Sequence, residues 1–290
     1  KQLDALSRAG KRLMGFCRTN LFKRLESSGC AFIESVKRHV LRNYIFLHAI
    51  ENDEPLPIGT QDQGLLDARI NDADEDTAAT AELFDEENNG EESGKIATSQ
   101  LQTEADFKRR AAEIYKDYAT RYQRRFKWLR PGLFVPTLAK DLLNDAHGLF
   151  NVLQKCGDWN AKRDAKLETL YQLLTKRHPD DKVIVFTQFA DTVYYLEEQL
   201  RDHKLPKLAG VTGDSPDPTA LAWRFSPVSN NKREQIRPED ELRVIIATDV
   251  LSEGQNLQDA SIVVNYDLPW AIIRLIQRVG RVDRIGQQAE

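Results

Sequence analysis

Apolar residues along this chain keep two different rhythms. In the first part they recur at steps of three and four, as one face of a helix requires. Ala31-Phe32-Ile33, Val36, Val40-Leu41, Tyr44-Ile45 and Leu47 follow that spacing, with Lys23, Arg24, Lys37, Arg38 and Arg42 between them. Residues 1–50 therefore read as helix, and Ser27-Ser28-Gly29 marks a break between two helices. A long helix is predicted from Ala105 to Arg130, stopped by Pro131-Gly132, and another over Leu138–Leu153.

From Lys162 the rhythm changes. Helix Asp164–Lys176 leads to strand Lys182–Phe186, helix Ala190–Asp202 and strand Lys207–Val211. Strands Arg243–Ala247 and Ile262–Asn265 and helix Ala271–Val279 follow. The runs Val183-Ile184-Val185-Phe186, Val244-Ile245-Ile246-Ala247 and Ile262-Val263-Val264 are unbroken rather than alternating. Strands covered on both faces have that composition, and it predicts a parallel α/β sheet. The fold class is thus an α/β lobe built on a parallel sheet and preceded by a mostly α-helical region. The divisions expected are 1–50 (helical, basic), 51–100 (linker), 101–160 (helical, basic and aromatic) and 161–290 (the sheet lobe).

Charge sharpens this division. The chain has a net charge of −4, yet residues 51–93 hold 15 Asp/Glu and one Arg. The rest is therefore a basic body, suited to a polyanion. The acidic stretch, poor in periodic apolar residues, reads as a flexible linker. Two lookalikes within it are rejected. Gly90-Glu91-Glu92-Ser93-Gly94-Lys95-Ile96 has the wrong glycine spacing for a phosphate loop and lacks the hydroxyl after its lysine. Asp85-Glu86-Glu87-Asn88 follows no buried strand. Three cysteines without a C-x-x-C pair argue against a disulfide framework or zinc site. No apolar run is long enough to span a membrane, and a cytoplasmic protein is expected.

In parallel sheets the loops at the carboxyl ends of the strands build the site. Here they carry Thr187-Gln188 after the first strand and Gly213-Asp214 after the second. Thr248, Asp249, Ser252, Glu253, Gly254 and Asn256 follow the third, and Asp267 and Trp270 the fourth. Arg281 and Arg284 lie three residues apart near the predicted end of the last helix. A guanidinium is always charged, and its planar fork fits phosphate oxygens. The 105–130 helix interleaves nine cations with Phe107, Tyr115, Tyr118, Tyr122, Phe126 and Trp128. That is either a nucleic-acid face or an amphipathic helix with core aromatics and solvated cations.

Three stretches in order give the lobe a likeness. Val183-Ile-Val-Phe-Thr-Gln-Phe189 resembles motif IV of superfamily 2 helicases, and Ala247-Thr-Asp-Val-Leu-Ser-Glu-Gly-Gln-Asn-Leu257 resembles motif V. Gln277-Arg-Val-Gly-Arg-Val-Asp-Arg-Ile-Gly-Gln287 resembles motif VI, with the Arg-Ile-Gly-Gln ending of the Swi/Snf-like ATP-driven DNA translocases. Roughly residues 165–287 resemble the second RecA-like lobe of that branch. The helical half is similar to the helices that bacterial members insert around it.

The resemblance implies roles. Arg281 and Arg284 would reach the triphosphate of ATP as arginine fingers, Arg284 foremost, with Gln277, Gly254 and Asn256 at the nucleotide edge. Thr187, Gln188, Thr248 and Ser252 would hold a sugar–phosphate backbone, and Trp270 would cap the nucleic-acid channel. It implies ATP and Mg2+ as cofactors of the full-length protein, none bound by this chain alone. The partners implied are DNA, as a duplex, and a first RecA-like lobe outside this sequence. It also implies ATP hydrolysis and helicase or translocase activity in the whole protein, with this chain inactive by itself. The prolines between Gly213 and Arg243 predict a loop insertion where the family carries a compact helix. The chain stops three residues after motif VI, so an incomplete lobe is expected. A second reading makes the lobe silent and the basic helices a nucleic-acid or protein binding module.

Overall fold

A computed structural model describes residues 19–59, 101–252, 256–269 and 271–282. The side chains of Ser252 and Arg281 also fall outside the description. The chain divides into two compact units: residues up to Ala31 together with Trp159 onward, and Phe32–Asp158.

Unit Phe32–Asp158 is mostly helical. Residues 19–27 (α1) belong to the other unit and are separated at Ser28, where the sequence places a break, from Gly29–Glu51 (α2), most of which lies in this one. The inward face of α2 gathers Val40, Leu41, Tyr44 and Ile45. They pack with Phe107, Ala111, Ile114, Tyr115 and Tyr118 of α3 (Glu104–Thr120) and with Ala146 of α4 (Leu138–Cys156). A reciprocal cap starts α3: Asp106 N donates to Thr103 Oγ1 at 3.3 Å, and Thr103 N donates to Asp106 Oδ2 at 3.0 Å.

Two expectations need correction here. The helix predicted over 105–130 ends at Thr120 and gives way to a 3₁₀ turn, Gln123–Arg125, and strand β2, Lys127–Leu129. The core demands Phe126 and Trp128 on one side, a two-residue period that no helix supplies. The linker assigned from residue 51 begins later, because Leu56–Ile58 is strand β1 and pairs antiparallel with β2. The acidic residues beyond Gly59, with both rejected lookalikes, lie outside the described residues.

The other unit holds the sheet. Strands β3 (Val183–Phe186), β4 (Leu208–Val211), β5 (Val244–Ala247) and β6 (Ile262–Asn265) are parallel, in the order β4-β5-β3-β6. All residues of β3 and β5 are buried, as their unbroken apolar runs require. Each such side chain contributes about 1.5–3 kcal/mol of burial. Helix α5 (Ala165–Gln172) starts at Asp164, whose carboxylate accepts from Lys166 N and Leu167 N, and runs into a π turn, Leu173–Arg177. Helix α6 (Ala190–Asp202) lays Val193, Leu196 and Leu200 on one face of the sheet. It approaches β4 so closely that a Cβ on Gly210 would stand 2.5 Å from Glu197 Oε2.

The insertion predicted between Gly213 and Arg243 contains a helix, α7 (Pro218–Phe225), contrary to the loop expected from its prolines. Pro218 sits in the first turn, where its missing N–H costs nothing, and Asp217 caps Ala220 N at 2.8 Å. Residues 226–242 then form an ordered loop. The Asp259 carboxylate accepts from Val228 N (2.8 Å) and Ser229 N (2.9 Å). Lys182 Nζ meets Glu241 Oε1 at 2.5 Å, and Arg233 pairs with the other oxygen of Glu241.

Burial alone would raise the Glu241 carboxyl, but the Lys182 ammonium and the Arg233 guanidinium outweigh it and hold it below the usual range. A depressed carboxylate contributes stability that is complete above its unfolded value, about 4.3, and fades as pH falls through the lower folded value. Glu241→Gln is expected to cost about 1–2 kcal/mol at neutral pH. It should also flatten the acid limb of the stability curve below about pH 4. Urea titrations of both proteins across that range measure it; parallel curves would count against the ion pair.

Candidate nucleotide and nucleic-acid edge

The backbone ladder runs past the strand ends. Thr187 N donates to Ala247 O (3.0 Å), Thr248 N to Val211 O (3.0 Å) and Tyr266 N to Phe186 O (2.8 Å). The loops after β3, β5 and β6 therefore leave the sheet at fixed points along its carboxyl edge, the place where such sheets bind ligands.

Helix α8 (Ile272–Val282), which carries the first motif VI residues, Gln277–Val282, is bolted to this edge by Arg278. That side chain is fully buried. Its Nε donates to Asp249 Oδ1 at 2.6 Å and its Nη1 to Asn265 Oδ1 at 2.9 Å, and the guanidinium lies 5.2 Å from the Phe186 ring centroid. Arg274 Nη1 donates to the other Asp249 oxygen at 3.4 Å. One arginine thus joins the loop after β5, the end of β6 and the last helix. Val282 packs with Leu251, Leu257 and Ala260 and fixes the helix end on the same loop. The opposite face of α8 is open: Ile272, Ile273, Ile276 and Val279 are exposed, as is Gln277. Sequence reasoning assigned no role to Arg278 or Asp249. The available signal was a cation placed between Leu275 and Val282 on one helical face.

A second buried network surrounds Asp267, just past β6. Its Oδ2 accepts from Ser27 Oγ (2.6 Å) and Thr187 Oγ1 (2.5 Å), and its Oδ1 accepts from Gln188 N (2.9 Å). Ser27 Oγ lies 2.8 Å from Thr192 Oγ1. Beside it, Arg24 Nη1 donates to Asp191 Oδ2 at 3.0 Å and its guanidinium covers the Phe189 ring at 4.6 Å. Lys166 Nζ caps α1 through Glu26 O (2.9 Å) and Ser27 O (3.0 Å), and sits 4.0 Å from the Tyr266 ring centroid. Burial in this corner pushes the Lys166 ammonium down. It also pushes the Tyr266 phenol well above its ordinary value. Helix α1 had been assigned to a separate helical region; its last turn belongs to the sheet's carboxyl edge.

The anticipated residues fall in three groups. Gln188 is half-buried at the edge with its backbone N–H on Asp267, and Gln277 is exposed on α8. Thr187 is fully buried with its hydroxyl donated to Asp267, and Thr248 is 8% exposed. Thr187 is thus turned inward, away from any strand approaching from solvent. Asn256 Nδ2 donates to Ser229 O at 2.8 Å, and Asn256 O accepts from Asn230 Nδ2 at 2.8 Å, which ties the motif V loop to the insertion. Its amide is engaged with protein rather than presented to a ribose. Gly254, Trp270 and Arg284 lie outside the described residues, as do the side chains of Ser252 and Arg281; the Arg281 backbone is in the last turn of α8.

Residues 165–286 match the family model of the helicase conserved C-terminal domain. This stretch is similar to helicase C-terminal domains. Its resemblance to Swi/Snf-like members of superfamily 2 agrees with its relatives. It is 33% identical over 113 residues to "Uncharacterized ATP-dependent helicase YqhH" of Bacillus subtilis (strain 168), covering 38% of this chain and 18% of that protein. It is 36% identical over 133 residues to RNA polymerase-associated protein RapA of Erwinia tasmaniensis, covering 44% of this chain and 12% of that one. The chain therefore spans less than a fifth of the length of these curated relatives. Among solved structures, the C-terminal part of the Fun30 ATPase domain aligns with TM-score 0.38 at 18% identity, over 62% of this chain and 51% of that chain. The Pyrococcus furiosus Hef helicase domain aligns with TM-score 0.33 at 17% identity, over 87% and 50%. No described helix is long and apolar enough to cross a membrane.

Proposed function

We propose that residues 165–286 form the second RecA-like lobe of an ATP-dependent DNA translocase, closing on a nucleotide held chiefly by a first lobe. The observation that carries the reading is the Arg278–Asp249 ion pair. It fixes the motif VI helix on the motif V loop, so the Arg281 backbone, one helical turn further on, starts from a fixed base. Preorganised cations are what phosphoryl transfer asks of protein, since its chemistry is mostly positioning and charge stabilisation.

The donor types fit a triphosphate: Gln277 is exposed on α8, the Arg281 backbone is in its last turn, and Arg284 follows three residues later in the sequence. Magnesium would arrive with the phosphates and take its protein ligands from the first lobe, as the resemblance implies. ATP supplies the bond whose hydrolysis drives the motion. The exposed apolar row on α8 supports a further polypeptide surface covering it.

On this reading Thr187 and Asp267 do not touch the DNA strand. They hold the Gln188 backbone, and Gln188 and Thr248 meet the sugar–phosphate chain, with Ser252, Trp270 and Gly254 in the roles the motifs suggest.

The test uses the full-length protein. Arg284→Ala is expected to lower kcat for DNA-stimulated ATP hydrolysis by ~10³-fold or more, and Arg281→Ala comparably, with duplex binding retained. Unchanged hydrolysis in both would sink the reading and favour a silent lobe beside a binding module. The chain alone is expected to show no ATP turnover.

A further inference from the structure

We propose that the exposed cations from Lys116 to Arg130 form a second nucleic-acid surface, which grips the phosphate backbone of duplex DNA and stacks no bases. It rests on the reading above only for the choice of DNA as the polyanion.

The cations from Lys108 to Arg130 divide into two sets. Those in the first half of α3 are neutralised by neighbours on the same helix. Lys108 Nζ pairs with Glu104 at 2.8 Å, Arg109 with Asp106 at 2.9 Å and Arg110 with Glu113 at 3.0 Å. Glu104 and Asp106 are both held below their usual carboxylate range, with the Lys108 and Thr103 hydrogen bonds as the respective leading causes. Beyond them come Lys116, Arg121, Arg124, Arg125, Lys127 and Arg130, with Asp117 the only acid in that stretch. All six cations are exposed. Among the described residues, Lys116, Arg121, Arg124 and Arg130 form no ion pair within 4.0 Å.

The aromatics interleaved with them decide the kind of partner. Tyr118 and Phe126 are buried and stack on each other at 4.5 Å. Trp128 meets Tyr115 edge-on at 5.9 Å and donates its Nε1–H to Gln123 O at 2.8 Å. Burial pushes the Tyr115 phenol up to about 12, and its hydroxyl donates to Pro55 O at 2.8 Å. Tyr115, Tyr118 and Phe126 are the floor of the surface, and the half-buried Tyr122 and Trp128 pack against the same core, Tyr122 beneath the Arg125 guanidinium at 5.5 Å. Proteins that hold single strands offer exposed rings on which bases stack. A cationic surface without them contacts phosphates and carries no sequence information. The floor is also rigid: β2 pairs with β1 along its length, and a 3₁₀ turn precedes it. Charges fixed at set spacings suit a regular duplex backbone better than a flexible chain.

The experiment uses the 290-residue chain and a short blunt DNA duplex, with binding read by fluorescence anisotropy over a salt series and no ATP. Arg121→Gln/Arg124→Gln/Arg130→Gln is compared with Lys108→Gln/Arg109→Gln/Arg110→Gln, which removes the same formal charge from the paired set. The first triple is expected to reduce the slope of log K against log salt by roughly 2–3 and the low-salt affinity at least about tenfold. The second should leave the slope nearly unchanged. Equal reductions by both triples, or none by the first, would overturn the proposal, as would tighter binding of single-stranded DNA or polyglutamate than of duplex. Thermal melting of each variant keeps unfolding apart from lost binding. Because no ATP enters the readout, a failed motor reading leaves this result standing, and a failure here leaves the motor reading standing.

Discussion

Arg278→Ala should cost the sheet-bearing unit about 3 kcal/mol, one of the two largest losses expected from any single change in the chain. The side chain is wholly buried and holds two acceptors on separate elements, Asp249 Oδ1 and Asn265 Oδ1. Removing it takes the 2.6 Å donor away from the Asp249 carboxylate, leaving the longer 3.4 Å contact from Arg274 among its remaining partners, and opens a cavity over Phe186. An uncompensated carboxylate, not the net worth of the pair, dominates such losses. Two further variants separate the causes. Arg278→Lys should rescue little, since an ammonium is a point charge and lacks the fork that spans both partners. Arg278→Met with Asp249→Leu should recover much of the stability, because neither charge is then stranded. In the full-length protein that double variant should still fail to hydrolyse ATP at the wild-type rate, having lost the link between motifs V and VI. Urea unfolding gives the first comparison and ATPase kinetics the second. Equal stability of the single and double variants would show that packing, not charge, sets the cost.

The motif VI helix also shows why the sequence was legible in some places and opaque in others. The sheet was readable because burial on both faces writes an unbroken apolar run, as in Val183–Phe186 and Val244–Ala247. Residues Ile262–Asn265 and Ala190–Asp202 were bounded as observed for the same reason of strong local pattern. Helix α8 reverses the rule. Its more apolar face, Ile272, Ile273, Ile276 and Val279, points outward, and its inward face carries an arginine. Periodicity finds a face but does not say which surface covers it, so Arg278 was passed over in favour of Arg281 and Arg284. The segment 121–130 misled for another reason. Its Arg, Lys and Gln residues are good helix formers, but tertiary demand for Phe126 and Trp128 overrode a weak preference. The helix Pro218–Phe225 was masked by counting its prolines as breakers when one of them occupies the first turn. The Asp267 network could not be read at all, since it joins residues 240 positions apart and depends on where α1 packs.

That network supports the other large expectation. Asp267 is 4% exposed and accepts three hydrogen bonds, from Ser27, Thr187 and the Gln188 backbone. Asp267→Ala removes both acceptor oxygens, and with them all three hydrogen bonds, at once. Each stranded buried donor costs about 1–3 kcal/mol. The hydroxyls can partly rescue one another, because Ser27 Oγ already lies 3.3 Å from Thr187 Oγ1 and 2.8 Å from Thr192 Oγ1. A loss of about 3 kcal/mol is the reasonable expectation. Asp267→Asn is a different experiment despite the similar shape. Its carbonyl can face Gln188 N while its amide donates to the two hydroxyls, which accept as readily as they donate. Asn should therefore cost about 1 kcal/mol. The losses should also be local. Residues 19–27 are tied to the sheet edge through Ser27, Arg24 and Lys166, and Ala at 267 cuts the first of these ties. Amide exchange should accelerate through 19–27 and at Gln188–Thr192 well before the sheet itself opens. In the full-length protein the same variant should weaken duplex binding through the freed Gln188 loop, with KM for ATP little changed. Equal penalties for Ala and Asn, or unaltered exchange in 19–27, would mean that Asp267 fills space at this edge without organising it.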